Sequence, residues 1–266
     1  MPTSQENVFD GESHRQRAMA EGFGAEAERY DRARPRYPRP LIDQVAALGR
    51  DLLDVGCGTG IAARQFRDAG CAVLGVDVDD RMVDRARSSG IRAEVSAFEE
   101  WDPAGRRFDV VTAAQTWHWI DPDRGAAKAR QVLRPGGSLA LFWNVTLPGP
   151  EVRSAFSAVH RRVMPEGVPD FWAQEPAEPY RPFLDAAAGG LSRTGGFDEP
   201  VTGRHDWEHV YERDAWLDQL PTSGLAGRLP PEVMTRLGEE TGAAIDGLGG
   251  SFVMPYVTVI LTARRP

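Results

Sequence analysis

Three glycines alternate in "LLDVGCGTG", residues 52–60, directly behind a short apolar run and an acid. Gly56, Gly58 and Gly60 let the chain turn tightly and let a ligand lie against bare backbone. With a strand before the turn and a helix after it, unpaired N–H groups and a positive dipole end face that ligand. Asp77 stands 21 residues beyond Gly56, where a carboxylate ending the next strand can hydrogen-bond ribose hydroxyls. Together these residues describe a site for an adenosine-type nucleotide at the carboxyl edge of a parallel sheet. The spacing is G-x-G-x-G, and Asp54 precedes it inside the strand. A dinucleotide pyrophosphate favours the longer G-x-G-x-x-G form.

The flanking pattern supplies the elements such a site needs. Leu52–Val55 reads as a buried strand, followed by the glycine turn and a helix from Ile61 to Ala69. Ala72–Asp77 reads as a second strand, with a helix over Arg81–Ser89 behind it. Ala93–Ser96 is a short third strand and Phe108–Gln115 a fourth, trailed by a helix over Asp123–Leu133. "RPGG" is a sharp turn before a fifth strand, Ser138–Asn144. Strands alternating with helices of this length imply right-handed βαβ units and a parallel sheet covered on both faces.

Upstream, residues 1–20 are polar and aperiodic, which predicts a disordered or loosely helical segment. A helical stretch broken by Pro35, Pro38 and Pro40 follows, then an amphipathic helix carrying Leu41, Ile42, Val45 and Leu48. Downstream of Asn144 a helix with Val152, Phe156, Val159 and Val163 on one face leads into a proline-rich, aromatic-rich loop. Residues 201–213 alternate like a strand, two helical stretches follow, and 251–265 close the chain as a β-rich run. The whole reads as one domain over 1–266: an N-terminal lid and helix (1–50), a ligand-binding core (51–147), an insertion or substrate lid (148–196) and a sheet-completing part (197–266).

Composition narrows the partners. The chain holds 31 basic and 39 acidic residues, a net charge of −8, so nucleic acid and anionic membrane are not expected partners. No stretch approaches the length of a membrane span and no secretory signal is visible, which points to a cytoplasmic protein. The two cysteines, Cys57 and Cys71, have no metal spacing. His205 and His209 share a strand face with Trp207 and Tyr211 but lack further ligands, so no metal is expected.

"LLDVGCGTG", "VLGVDVDDRMVDRAR", "FDVVTAAQTWHWID" and "VLRPGGSLALFWN" resemble, in order, the motifs of class I S-adenosylmethionine-dependent methyltransferases. "FGAEAERYDRARPRYP" resembles the N-terminal segment of their small-molecule branch, and "AQTWHW" its trans-aconitate methyltransferase-like members. The resemblance implies a Rossmann-like, doubly wound α/β sheet of seven strands with an antiparallel terminal hairpin, and S-adenosyl-L-methionine as cofactor. It implies that Asp54, Gly56, Cys57, Gly58 and Gly60 hold the amino-acid part of that cofactor and Asp77 its ribose. Val78 and Met82 would flank the adenine, Ser96, Ala97 and Phe98 would line its outer edge, and Gln115 would face the methionine part. Tyr30 and Arg34 would fold over it. Many relatives carry Asp where Ser96 stands, so the contact to the adenine amino group is weaker or made by backbone.

Methyl transfer from a sulfonium is an in-line displacement, so a base is needed only for an acceptor that arrives protonated. His118, after the fourth strand, is the candidate base; the plainer alternative is a histidine bonding a neighbouring loop. Arg34 pairs either the cofactor carboxylate or an acidic acceptor, or is one surface arginine among several. Trp117, Trp119, Phe171, Trp172 and Tyr180 are candidate acceptor contacts, with packing under the lid as the alternative for the tryptophans. The expected reaction is methylation of a small molecule, at oxygen of a carboxylate or hydroxyl in preference to nitrogen or carbon. A nicotinamide-dependent oxidoreductase and a non-catalytic cofactor-binding protein are the alternatives. The glycine spacing disfavours the first, and the complete cofactor motif set disfavours the second.

Overall fold

The computed structural model describes residues 24, 26–173, 180–224 and 229–266. The polar segment 1–20 lies outside the described residues. Strands β1 (Asp51–Val55), β2 (Ala72–Asp77), β3 (Arg92–Val95), β4 (Phe108–Ala114), β5 (Leu133–Thr146), β6 (Val201–Glu212) and β7 (Ser251–Arg264) form one sheet. Its order is β3-β2-β1-β4-β5-β7-β6. The first five strands are parallel, whereas β7 runs antiparallel to both β5 and β6. The order reverses direction beside β1, which is where open α/β sheets leave a crevice at the strand ends.

Helices α1 (Ala27–Ala33), α2 (Arg39–Ala46), α3 (Ile61–Asp68), α4 (Asp80–Ser88), α5 (Pro122–Val132), α6 (Pro150–Val163), α7 (Arg181–Thr194), α8 (Arg213–Gln219) and α9 (Pro231–Gly247) join the strands. β1 and β4 are near-continuous apolar runs because both faces are covered. Leu52 and Val110 pack with Phe66, Leu41 and Val45 on the α2–α3 side. Leu53, Val55 and Val111 pack with Ala126, Ala129, Phe183 and Leu191 on the α5–α7 side. Helix starts follow local rules: the Asp79 carboxylate accepts from the N–H groups of Arg81 and Met82, and Asp121 does the same for Asp123 and Arg124.

Two features differ from the sequence reading. β5 begins at Leu133, so "RPGG" lies inside the strand, with a register shift against β4 between Phe108 and Val110. β5 also runs on to Thr146, because β7 pairs with it from Ser138 to Thr146, the last opposite Tyr256. Secondly, the segment expected as an insertion supplies α7, whose Phe183, Ala187 and Leu191 complete the core beside α5. The other half, α6, packs Val152 and Phe156 against Trp216 of α8 and Phe252 of β7.

Candidate functional site

The glycine turn sits between β1 and α3 at the carboxyl edge of the sheet. Gly56 and Gly58 have φ of +62° and +52°, a region that L side chains rarely adopt. A Cβ on Gly56 would lie 1.9 Å from Thr116 Cγ2, so this glycine is demanded by packing. A Cβ on Gly58 would meet nothing within 4 Å; it would enter open space instead. The turn is pinned from behind, where the N–H groups of Gly56 and Cys57 both donate to the Val76 carbonyl. The Gly58 N–H donates to Asp77 Oδ2 at 2.8 Å, and Asp79 N–H donates to Asp77 Oδ1 at 3.0 Å.

That open space belongs to a cleft of about 690 Å³, its mouth included. Val55, Gly56 and Gly58 form its floor, and Val76, Asp77, Val78 and Met82 one wall. Ser96 and Phe98 close the outer edge, Gln115, Thr116, Trp119 and Ile120 the other wall, and Tyr30 of α1 reaches over from above. Burial pushes the Asp77 carboxyl upward, partly offset by the N–H groups of Asp79 and Gly58.

Ten of the residues expected from sequence meet in this one cleft: Tyr30, Gly56, Gly58, Asp77, Val78, Met82, Ser96, Phe98, Gln115 and Trp119. Others take supporting places. Asp54 is fully buried behind the turn and accepts from Thr112 Oγ1 at 3.1 Å; burial pushes its pKa up to about 7 against that hydroxyl. Cys57 is buried with Ala62 and Ala93 on the α3 side, away from the cleft. Gly60 caps α3, facing Ala86 and Ile91. The Ala97 carbonyl accepts from Ser96 Oγ at 3.0 Å.

The candidates for acceptor contact scatter. Trp117 turns into the core beside Phe98 and is 2% exposed. Phe171 is 49% exposed, and Trp172 packs on Phe156 and Trp216. Tyr180 donates its O–H to the Asn144 carbonyl at 2.9 Å, and burial pushes the phenol up to about 12. Arg34 stacks on the Tyr30 ring and donates to the Thr222 hydroxyl and carbonyl oxygens, outside the cleft lining. His118 lies on the short helical turn Trp117–Trp119, half-buried, stacked on Phe183 with ring centroids 4.6 Å apart. Trp143 Nε1–H donates to its Nδ1 at 3.2 Å, and burial pushes its pKa down to about 3.

Two residues of the site, Thr116 and Asp31, escaped the sequence reading, and so did the backbone conformation of Gln115. Thr116 locks the turn by donating to the Gly56 carbonyl at 3.1 Å. Gln115 at φ +59° makes the sharp exit from β4 that brings Thr116 there, a conformation without a composition signal. Asp31 of α1 accepts from Thr59, Arg64 and Arg85 and so ties α1 to α3 and α4. Burial opposes its charge, yet the two guanidiniums and the hydroxyl outweigh it and hold the carboxyl below its ordinary range.

Residues 53–141 match the family described as methyltransferase domain. A solved structure of a proposed type II methyltransferase from Anaeromyxobacter dehalogenans superposes with a TM-score of 0.60 at 25% identity, covering 87% of this chain and 97% of that one. Over residues 53–141 the chain is thus similar to a methyltransferase domain, and its fold matches that of the A. dehalogenans protein. An uncharacterized methyltransferase of Mycobacterium tuberculosis (strain ATCC 25618 / H37Rv) is 39% identical over 131 residues, 48% of this chain and 54% of that protein. A malonyl-[acyl-carrier protein] O-methyltransferase of Pseudescherichia vulneris is 32% identical over 155 residues, 55% of this chain and 61% of that protein. This chain therefore matches little more than half the length of these curated relatives, and the methyltransferase domain is the shared part. Among the described residues, no helix is long and apolar enough to cross a membrane.

Proposed function

We propose that the protein binds S-adenosyl-L-methionine in the cleft and transfers its methyl group to an oxygen of a small molecule. The observation that carries this reading is the pairing of bare backbone at Gly58 with the Asp77 carboxylate beside it. The residues fit the cofactor. Gly58 leaves room where any side chain would intrude, Asp77 offers acceptor oxygens for ribose hydroxyls, and Val78, Met82 and Phe98 supply an apolar slot for a flat base. Gln115 and Tyr30 complete the lining, Gln115 to face the methionine part and Tyr30 to fold over the cofactor. When bound, the sulfonium supplies the methyl carbon, and the chain's own work is alignment and exclusion of water.

The preference for oxygen draws on the P. vulneris relative, which by its name is an O-methyltransferase. Titration calorimetry with S-adenosyl-L-methionine tests the cofactor half. Wild type binds, and Asp77→Ala loses tenfold or more in affinity, as expected for removing hydrogen bonds to a charged acceptor worth about 1.5–3 kcal/mol. No heat at millimolar cofactor would overturn the reading. Mass detection of a one-methyl gain across an acceptor library then identifies the product.

A further inference from the structure

A second cavity, of about 1,240 Å³ with its mouth included, opens at the amino edge of the sheet, opposite the cleft. Asp51 begins β1 there, Arg92 begins β3, Arg107 directly precedes β4, and Arg134 is the second residue of β5. Five guanidiniums line this cavity, those of Arg87, Arg92, Arg106, Arg107 and Arg134, against the two carboxylates of Asp51 and Glu94. The chain around them carries a net charge of −8. The fold itself accounts for three of the five. Arg87, in the last turn of α4, donates to the Ala93 carbonyl at 3.1 Å and pairs with Asp84. Arg106 donates to both oxygens of Glu94 and lies over the Trp101 ring. Arg134 bridges Asp51 and Asp109 and so ties the starts of β1, β4 and β5 together. The other two have no comparable task. The Arg92 side chain makes no hydrogen bond or ion pair with a described residue, and Arg107 donates to the carbonyl of its neighbour Arg106. Neither ends a helix, so neither offsets a helix dipole. Both are exposed to solvent in the cavity. One unpaired surface arginine is ordinary. Two that share a concavity with three fixed guanidiniums repel them, a cost that a bound anion would remove.

We propose that this cavity binds a ligand carrying two or more linked phosphoryl groups, with Arg92 and Arg107 as its principal contacts. A guanidinium presents a planar fork that meets two phosphate oxygens at once, whereas an ammonium acts as a point charge. The distance between the two free arginines selects a chain of phosphoryl groups over a single one. β2 and β1 separate β3 from β4, so the backbones of Arg92 and Arg107 stand three strand spacings apart, about 14 Å. Two arginine side chains reaching inward from that separation leave a gap that one phosphoryl group does not bridge. The negative charge of the whole molecule works against a long polyanion such as nucleic acid and leaves a compact ligand as the fitting one. This site lies at the other edge of the sheet and does not depend on the methyl-transfer reading.

Titration calorimetry of the full-length protein with tripolyphosphate, orthophosphate and ATP, without magnesium, tests the site. Tripolyphosphate should bind roughly tenfold or more tightly than orthophosphate, because only the chain reaches both free arginines. Arg92→Ala/Arg107→Ala should weaken tripolyphosphate binding by roughly tenfold or more. Arg92→Lys/Arg107→Lys keeps both charges without the forks and should weaken it by about threefold or more. Arg36→Ala/Arg204→Ala removes two exposed arginines outside the cavity and should leave the affinity within about twofold. All of these side chains are exposed, so the thermal unfolding midpoints should match wild type, and the lysine pair keeps the test open should the alanine pair fold poorly. ATP that binds more tightly than tripolyphosphate, and is lost in the same arginine variants, makes the ligand a nucleotide; equal affinities make it a free phosphate chain. The proposal is overturned by no heat at millimolar tripolyphosphate, or by equal binding of orthophosphate. Wild-type affinity in the Arg92/Arg107 variants, or an equal loss in the Arg36/Arg204 variant, would overturn it too.

Discussion

Asp54 and Gly58 are four residues apart and do opposite work for the cleft. Asp54 is an acid whose pKa is raised to about 7 from an ordinary 3.8 because burial penalises its charged form. The folded state then keeps a proton that the unfolded chain releases, so stability falls as pH rises between those two values. The slope is about 1.4 kcal/mol per pH unit, and it flattens above the folded pKa. Thermal unfolding of the free protein should accordingly give a midpoint that declines from pH 5 to 7. Asp54→Asn, which keeps the shape without the proton to lose, should remove that decline; parallel pH profiles of variant and wild type would sink the account. Gly58→Ala should lower stability by about 1–2 kcal/mol, the cost of a left-handed conformation in an L residue. Its Cβ meets no protein atom but enters the cleft. Cofactor affinity measured by calorimetry should therefore fall far more than the unfolding midpoint.

At the scale of elements, α1 is unusual in having no buried residue of its own. Hydrophobic packing does not hold it; ion pairs do. Asp31 faces Arg64 and Arg85, with side-chain exposures of 10%, 12% and 34%, and on the other flank Arg29 and Arg32 both reach Asp218 of α8. A charge pair this deep is costly to break from one side, because the partner left behind stays desolvated. Asp31→Ala should release α1, and with it Tyr30, from the top of the cleft. Hydrogen exchange over residues 27–33 should accelerate and cofactor affinity drop several-fold, with the global unfolding midpoint little changed. Unaltered exchange there would show that the helix is held by something else.

Across the whole molecule, the sheet joins the cleft-forming half to the C-terminal hairpin. β7 is the hinge of that union, pairing β5 on one side and β6 on the other. Leu261 in β7 is 1% exposed and packs in the same cluster as Leu141 and Trp143 of β5 and Leu191 of α7. Leu261→Ala should cost about 2–5 kcal/mol. Urea unfolding followed by circular dichroism and by tryptophan fluorescence should give one coincident transition, displaced as a unit. Two separated transitions would mean that the hairpin folds apart from the cleft-forming half.

The sequence alone determined the parallel half of the fold and the floor of the cleft, because both are written in local signals. Apolar runs and glycine turns depend on neighbours a few residues away, and so the ends of β1, β2 and β4 and the residues Gly56, Gly58 and Asp77 were legible before any contact was known. The third dimension decided what each reactive-looking side chain does. Whether His118 accepts or donates depends on Trp143, 25 residues away; whether Trp117 lines the cleft or the core depends on packing against Phe98 from the loop after β3; and α1 is placed by Arg64, Arg85 and Asp218. Protonation, tautomer and exposure are set by long-range partners and by the loss of water, and neither is encoded in the spacing of residues along the chain.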